Sequence, residues 1–190
     1  MRIIAGAKRG MKLLGPKTQV SRPITDRVKE SLFSVLYKYD LPGGKRIADL
    51  FSGVGSLGLE ALSRGAVSVT FVEKDPKIIA TLKKNIEKSG FVKESKVIRA
   101  NAFSIGAPVN EQGYDLVFVD PPYARTVDVG QNSPLSRLMD VLRQQVSPDG
   151  IVVVRTSERT ELLDRYNEFH IIDRRKWGTM AVTILQKISQ

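Results

Sequence analysis

Asp120-Pro121-Pro122-Tyr123 stands directly after the apolar run Leu116-Val117-Phe118-Val119. A carboxylate, two rigid imino-acid residues and an aromatic ring in consecutive positions suit one kind of chemistry. The exocyclic amine of a nucleobase is a weak nucleophile, because its lone pair is delocalised into the ring. Asp120 and a proline-bounded carbonyl can both accept its N–H groups and direct that lone pair outward. The prolines fix φ and contribute no N–H donors, so the acceptors keep their places. Tyr123 can stack on an extracted base and hold it for in-line attack. These four residues form the candidate catalytic group. The competing reading is an ordinary turn with Tyr123 packed locally.

A second constellation lies upstream. Asp49-Leu50-Phe51-Ser52-Gly53-Val54-Gly55-Ser56-Leu57-Gly58 follows an expected strand and opens an expected helix. Glycines there let the backbone turn tightly and approach a ligand, with helix-terminal N–H groups facing it. Glu73 comes 20 residues after Gly53, where a carboxylate can accept from both hydroxyls of a ribose. The spacing fits Gly-x-Gly-x-x-Gly, so a nicotinamide or flavin nucleotide competes for this loop. Asp49 favours a different ligand: it could hold the ammonium group of a methionine moiety, whereas it would repel a pyrophosphate. Glycines that only permit a tight strand–helix turn are the structural alternative.

Both constellations need a sheet to bring them together, and the pattern supplies one. Thr25 can cap a helix carrying Val28, Leu32, Val35 and Leu36. Strands are expected at 46–51, 67–73, 96–99, 114–120 and 151–155. The helices between them begin at Leu57, at Asp75-Pro76 and before Leu138. Two further strands, 169–176 and 180–187, surround Gly178 as a terminal hairpin. This alternation predicts an α/β fold with a mostly parallel seven-stranded sheet and helices on both faces. The polar segment 125–133 reads as a mobile loop over the reaction site.

The chain has 190 residues, 42% hydrophobic and 26% charged, as in a globular domain. No cysteine and a single histidine, His170, argue against thiolate and multi-histidine metal sites. The basic start lacks the apolar stretch of a signal peptide, and no apolar run reaches membrane-spanning length. The absence of cysteine suits a cytoplasmic protein. The net charge is +10, and residues 1–30 carry +6 of it. Such a basic end suggests a polyanionic partner, with a solvated surface as the plainer alternative.

Taken together, the motifs resemble the RsmD-type 16S ribosomal RNA guanine-N2 methyltransferases, within the Rossmann-like class I fold. The resemblance runs from Arg2-Ile3-Ile4-Ala5-Gly6 through Arg22-Pro23-Ile24-Thr25-Asp26-Arg27-Val28-Lys29-Glu30-Ser31-Leu32-Phe33, Asp49–Gly58 and Glu73 to Asp120–Tyr123. It implies a basic N-terminal extension over 1–24 and a methyltransferase domain over 25–190. It further implies S-adenosylmethionine as cofactor, without a metal. Asp49, Gly53 and Gly55 would line the methionine pocket and Glu73 would bind the ribose, with Phe51, Lys74 and Ala102 alongside. Asn101 stands where the family often has an aspartate, and its amide oxygen can still accept from adenine. Arg9, Arg22, Thr25 and Arg27 are the expected RNA contacts. The implied partner is ribosomal RNA or an assembling small subunit, and the implied state is a monomer. A DNA amino-methyltransferase, a nicotinamide-dependent oxidoreductase and a non-catalytic RNA-binding assembly factor are the alternatives.

Overall fold

Thr25 opens the first helix, α1 (Asp26–Leu36), where its hydroxyl accepts the Val28 N–H at 3.4 Å. Helical spacing then places Val28, Leu32, Phe33, Val35 and Leu36 on one buried face. The chain continues as β1 (Arg46–Leu50), α2 (Ser56–Ser63), β2 (Ser68–Glu73) and α3 (Pro76–Ser89). Next come β3 (Ser95–Arg99), α4 (Ala102–Ile105), β4 (Tyr114–Val119) and α5 (Pro134–Leu142). It ends with β5 (Val146–Ser157), β6 (Arg165–Tyr166), β7 (Phe169–Trp177) and β8 (Met180–Lys187). This computed structural model describes residues 1–15, 24–109 and 112–188.

The strands form one sheet in the order β3-β2-β1-β4-β5-β8-β7-β6. Pairing is parallel from β3 to β5 and antiparallel from β5 through β8 and β7 to β6. Strand order therefore reverses at β1, between β2 and β4. Open α/β sheets bind ligands at the carboxyl ends of the strands beside such a reversal. Period-two alternation divides each strand between two cores. Leu116 and Phe118 of β4 pack with α1, α2 and α3, while Val117 and Val119 pack with α5. Burial on both faces explains why these strands read as continuous apolar runs.

The sheet has eight strands where seven were expected, the addition being the two-residue β6. The fifth strand also begins earlier, at Val146. Register slips between the pairs Tyr114–Val146 and Leu116–Ile151, so Pro148-Asp149-Gly150 is an irregularity within the strand. Asp149 sits there at φ 59°, which lets the chain turn out and rejoin β4. The four-residue α4 is too short to show a helical period. His170 pairs with Arg165 across β6 and β7, and Trp177 packs against the larger core. Among the described residues, no helix is long and apolar enough to cross a membrane.

Residues 1–15 are bound to this body rather than trailing from it. Arg2 and Lys12 form an antiparallel bridge, closed by Ile3 N–H to Met11 O at 3.0 Å and Leu13 N–H to Met1 O at 3.1 Å. Glu60 of α2, fully buried, is one centre of the attachment. It accepts the Ile4 and Ala5 N–H groups at 2.7 and 3.0 Å, with Lys29 Nζ at 3.2 Å and Arg64 Nε at 2.8 Å. Lys29 also donates to Arg2 O at 2.6 Å. Burial lowers its pKa, and the Glu60 carboxylate counters that shift. Gly6 adopts φ 79°, and a Cβ there would lie 1.7 Å from Ser63 O, so only glycine fits.

One carboxylate thus joins the N-terminal segment, α1 and α2. Glu60→Gln keeps the shape but leaves two buried cations without a counter-charge. We expect it to lower unfolding free energy by about 3 kcal/mol, as loss of one partner of a buried pair does. Urea denaturation measures this. A loss below about 1 kcal/mol would show that the cluster does not secure the segment.

Candidate active site

The loop after β1 owes its shape to three left-handed residues: Phe51 at φ 58°, Gly53 at 55° and Gly55 at 87°. A Cβ on Gly55 would meet Leu82 at 2.6 Å, so this glycine is required for space as well as for φ. A Cβ on Gly58 would strike the Phe71 ring at 2.3 Å, which is how α2 packs so closely on β2. Gly53 differs: nothing stands within 4 Å of its missing Cβ, because that side opens into a cleft.

The cleft encloses about 790 Å³ of non-protein space, solvent mouth included. Of the residues expected at a cofactor, Phe51, Gly53, Glu73, Lys74 and Ala102 form its walls, and Asp120 and Pro122 join them. The sheet reversal therefore brings the glycine loop and the proline segment to one cavity. Glu73 Oε2 accepts the Gly53 N–H at 3.1 Å, and Oε1 accepts from Lys74 and Asp75 at 2.8 and 3.0 Å. Three backbone donors so fix the carboxylate at the rim.

Asp49, Gly55 and Asn101 are not among the wall residues. Asp49 lies beneath the loop, 1% exposed, and accepts the Gly58 N–H at 2.9 Å. Burial drives its carboxyl well above the usual range, and the Asp120 and Glu73 charges push it further. Asn101 caps α4 by accepting the Phe103 N–H at 3.2 Å, with its side chain exposed. Phe103 itself lines the cleft, its ring 4.6 Å from that of Phe51.

Asp120 is held by Arg155 of β5, whose Nε donates to Oδ1. Burial raises the Asp120 pKa and the Arg155 guanidinium opposes the rise. The same guanidinium lies 5.8 Å from the Tyr123 ring centre, so one cation borders both ends of the catalytic segment. Pro121 is buried, and Tyr123 begins a 3-10 turn in which Arg125 N–H donates to Pro122 O at 2.8 Å. The segment after it is anchored at several points. Thr126 is buried and its carbonyl accepts from Thr160 at 3.3 Å, while Tyr166 donates to Val129 O at 2.6 Å. It reads as a pinned connector more than the mobile loop expected.

Sequence reasoning missed Arg155, Phe103, Ile78 and Arg125 in this site. Arg155 gave one signal, a lone charge closing the apolar run Ile151–Val154 of a central strand. Of the expected RNA contacts, Arg9 is exposed in the N-terminal turn and Arg27 is exposed on α1. The Thr25 hydroxyl is occupied as a helix cap, and Arg22 lies outside the described residues. Asp26 pairs with Arg2 at 2.8 Å rather than with Arg27. Among the described residues no three acidic, histidine or cysteine side chains converge as metal ligands.

The Asp49 environment has a measurable consequence. A carboxyl with a raised folded-state pKa costs no stability below its unfolded pKa. The cost grows as pH rises towards the folded value and is complete above it. Asp49→Asn, which can still accept from Gly58, should therefore raise the Tm at pH 7, and the gain should vanish near pH 4. Thermal melts across that range check this. An equal or lower Tm at pH 7 would mean that Asp49 carries no such burden.

Comparison with known proteins agrees with this geometry. The family described as "Conserved hypothetical protein 95" matches residues 1–186. YlbH of Bacillus subtilis, named as a candidate rRNA methyltransferase, is 34% identical over 98% of this chain and 99% of its own length. Ribosomal RNA small subunit methyltransferase D of Haemophilus influenzae is 42% identical over 65% of this chain and 64% of that protein. Among solved structures, yhhF of Escherichia coli superposes with a TM-score of 0.82 at 30% identity, covering 100% of this chain and 99% of the other. The chain belongs to the family of conserved hypothetical protein 95, the RsmD-type methyltransferases.

Proposed function

We propose that this protein transfers a methyl group from S-adenosylmethionine to the exocyclic N2 amine of a guanine in 16S ribosomal RNA. In this reading it works as a monomer in the cytoplasm, on ribosomal RNA or an assembling small subunit. The observation that carries the proposal is a shared cleft: Asp120 and Pro122 face the same cavity as Gly53 and Glu73. The names of its relatives supply the substrate class.

The residues present fit the cofactor. Ser52 Oγ, in the glycine loop, is buried without a hydrogen-bond partner. Carboxylates of Glu73, Asp75 and Asp120 line the cleft, and such acceptors suit a ligand bearing ammonium and hydroxyl groups. A dinucleotide pyrophosphate would add charge of the same sign. Glu73 would take the ribose hydroxyls, Phe51, Ile78 and Phe103 would flank the adenine, and Asp49 would act on the ammonium group from beneath the loop. When bound, S-adenosylmethionine supplies an electrophilic methyl group on sulfur.

The remaining work falls to the chain's own groups. Asp120 accepts one N–H of the guanine amine. A carbonyl of the Pro121-Pro122 pair is the second acceptor. Together they orient the nitrogen lone pair towards the cofactor, while Tyr123 stacks on the base. Arg155 keeps Asp120 aimed and opposes the rise in its pKa on burial, and Asp120 can take the proton released after transfer. Orientation and fixed polar groups provide the acceleration, since the cofactor carries the reactive bond.

Asp120→Ala removes an acceptor used in the transition state. It should lower kcat on the order of 10²-fold and leave the Kd for S-adenosylmethionine within about threefold. Single-turnover methylation of 16S rRNA alongside calorimetry separates the two effects. Near-normal turnover would remove Asp120 from the reaction.

A further inference from the structure

Folding gathers a basic surface that the sequence splits in two. Residues 1–15 contain four cationic side chains and no anionic one, and residues 74–99 contain eight against three. Between them these two stretches carry nine of the ten net positive charges. The fold sets them side by side. Leu14 N–H donates to Asn85 Oδ1 at 2.8 Å, and Asn85 Nδ2 returns a bond to Leu14 O at 3.1 Å. Lys88 Nζ donates to Lys12 O at 2.7 Å, and the Lys8 ammonium lies 5.9 Å from the Phe91 ring centre.

On α3, Lys77, Lys84 and Lys88 follow at intervals of seven and four, so they share a stripe along the flank nearest the N-terminal segment. All three are exposed, as are Lys8, Arg9 and Lys12. The eleven steps from Lys77 to Lys88 extend about 16 Å. The stripe begins at the cleft, because Asp75 and Ile78 at the start of α3 line it.

We propose that this combined face, α3 with the N-terminal turn, is the track on which the RNA phosphate backbone lies as it leaves the cleft. The inference rests on the rRNA methyltransferase reading and extends it by naming the surface that holds the substrate. RNA fits better than an anionic membrane. A helix that lies in a bilayer surface inserts its apolar face, whereas Ile79, Leu82 and Ile86 of α3 are already committed to the core. A line of cations on a helix whose apolar face is buried matches a chain of phosphates, whose bound counterions each contact releases.

The test is binding to 16S rRNA across a salt series. Compared are the wild-type chain, a variant carrying Lys77→Gln, Lys84→Gln and Arg9→Gln, and a control carrying Lys45→Gln, Arg159→Gln and Arg165→Gln. Lys88 is left in place because it supports Lys12. The first variant should lose about 2 units from the log–log salt slope, at about 0.7 to 0.9 per phosphate contact. Its Tm and S-adenosylmethionine affinity should stay unchanged, and the control should keep the wild-type slope. A wild-type slope in the first variant, or an equal loss in the control, overturns the track while leaving the methyltransferase reading intact. Wild-type protein that neither binds nor methylates 16S rRNA overturns both. Binding to phosphatidylserine vesicles in preference to RNA assigns the face to a membrane and overturns the track.

Discussion

Three carboxylates at the carboxyl ends of three adjacent strands impose the constraint on which the rest of this site depends. Asp49 from β1, Glu73 from β2 and Asp120 after β4 are brought together by the strand reversal. Like charges that close cannot all ionise cheaply in a partly buried setting. The fold answers each differently. Backbone N–H groups hold Glu73, an N–H from α2 and a raised pKa accommodate Asp49, and Arg155 neutralises Asp120. What remains is a cavity lined by fixed carboxylate acceptors beside the glycine loop.

A second buried carboxylate does structural work of comparable weight. Glu60 binds two cations and two backbone N–H groups, and so turns the basic N-terminal stretch into a fixed wall. This changes what the positive charge of the chain means. Lys29 belongs to the 22–33 stretch of the family resemblance, yet it is fully buried and serves as a tether. Arg2 pairs with Asp26. The cations that remain exposed on this segment continue onto α3, so the basic surface is a product of tertiary contacts.

The legible parts of this protein are those whose signal is local. The glycine loop, the Asp75-Pro76 helix start and the Asp120–Tyr123 segment each depend on backbone chemistry within a few residues, and the structure builds them where the sequence indicates. The strand pattern was readable because burial on both faces leaves continuous apolar runs. What could not be read was set by distant partners. Arg155 meets Asp120 across 35 residues, and Asn85 meets Leu14 across 71. The cleft position of Phe103 depends on a helix of one turn. The Val146 start of β5 was hidden because Pro148-Asp149-Gly150 has the composition of a terminating turn, while pairing with β4 carries the strand past it.

The central claim is that this cleft holds S-adenosylmethionine beside a nucleobase amine. Its most direct test is transfer of a labelled methyl group to small subunits from cells lacking the gene, followed by mass spectrometry of the RNA nucleosides. The account predicts label in N2-methylguanosine at a single position of 16S rRNA. Label on an adenine or cytosine amine, or no transfer by protein that binds the cofactor, would contradict it.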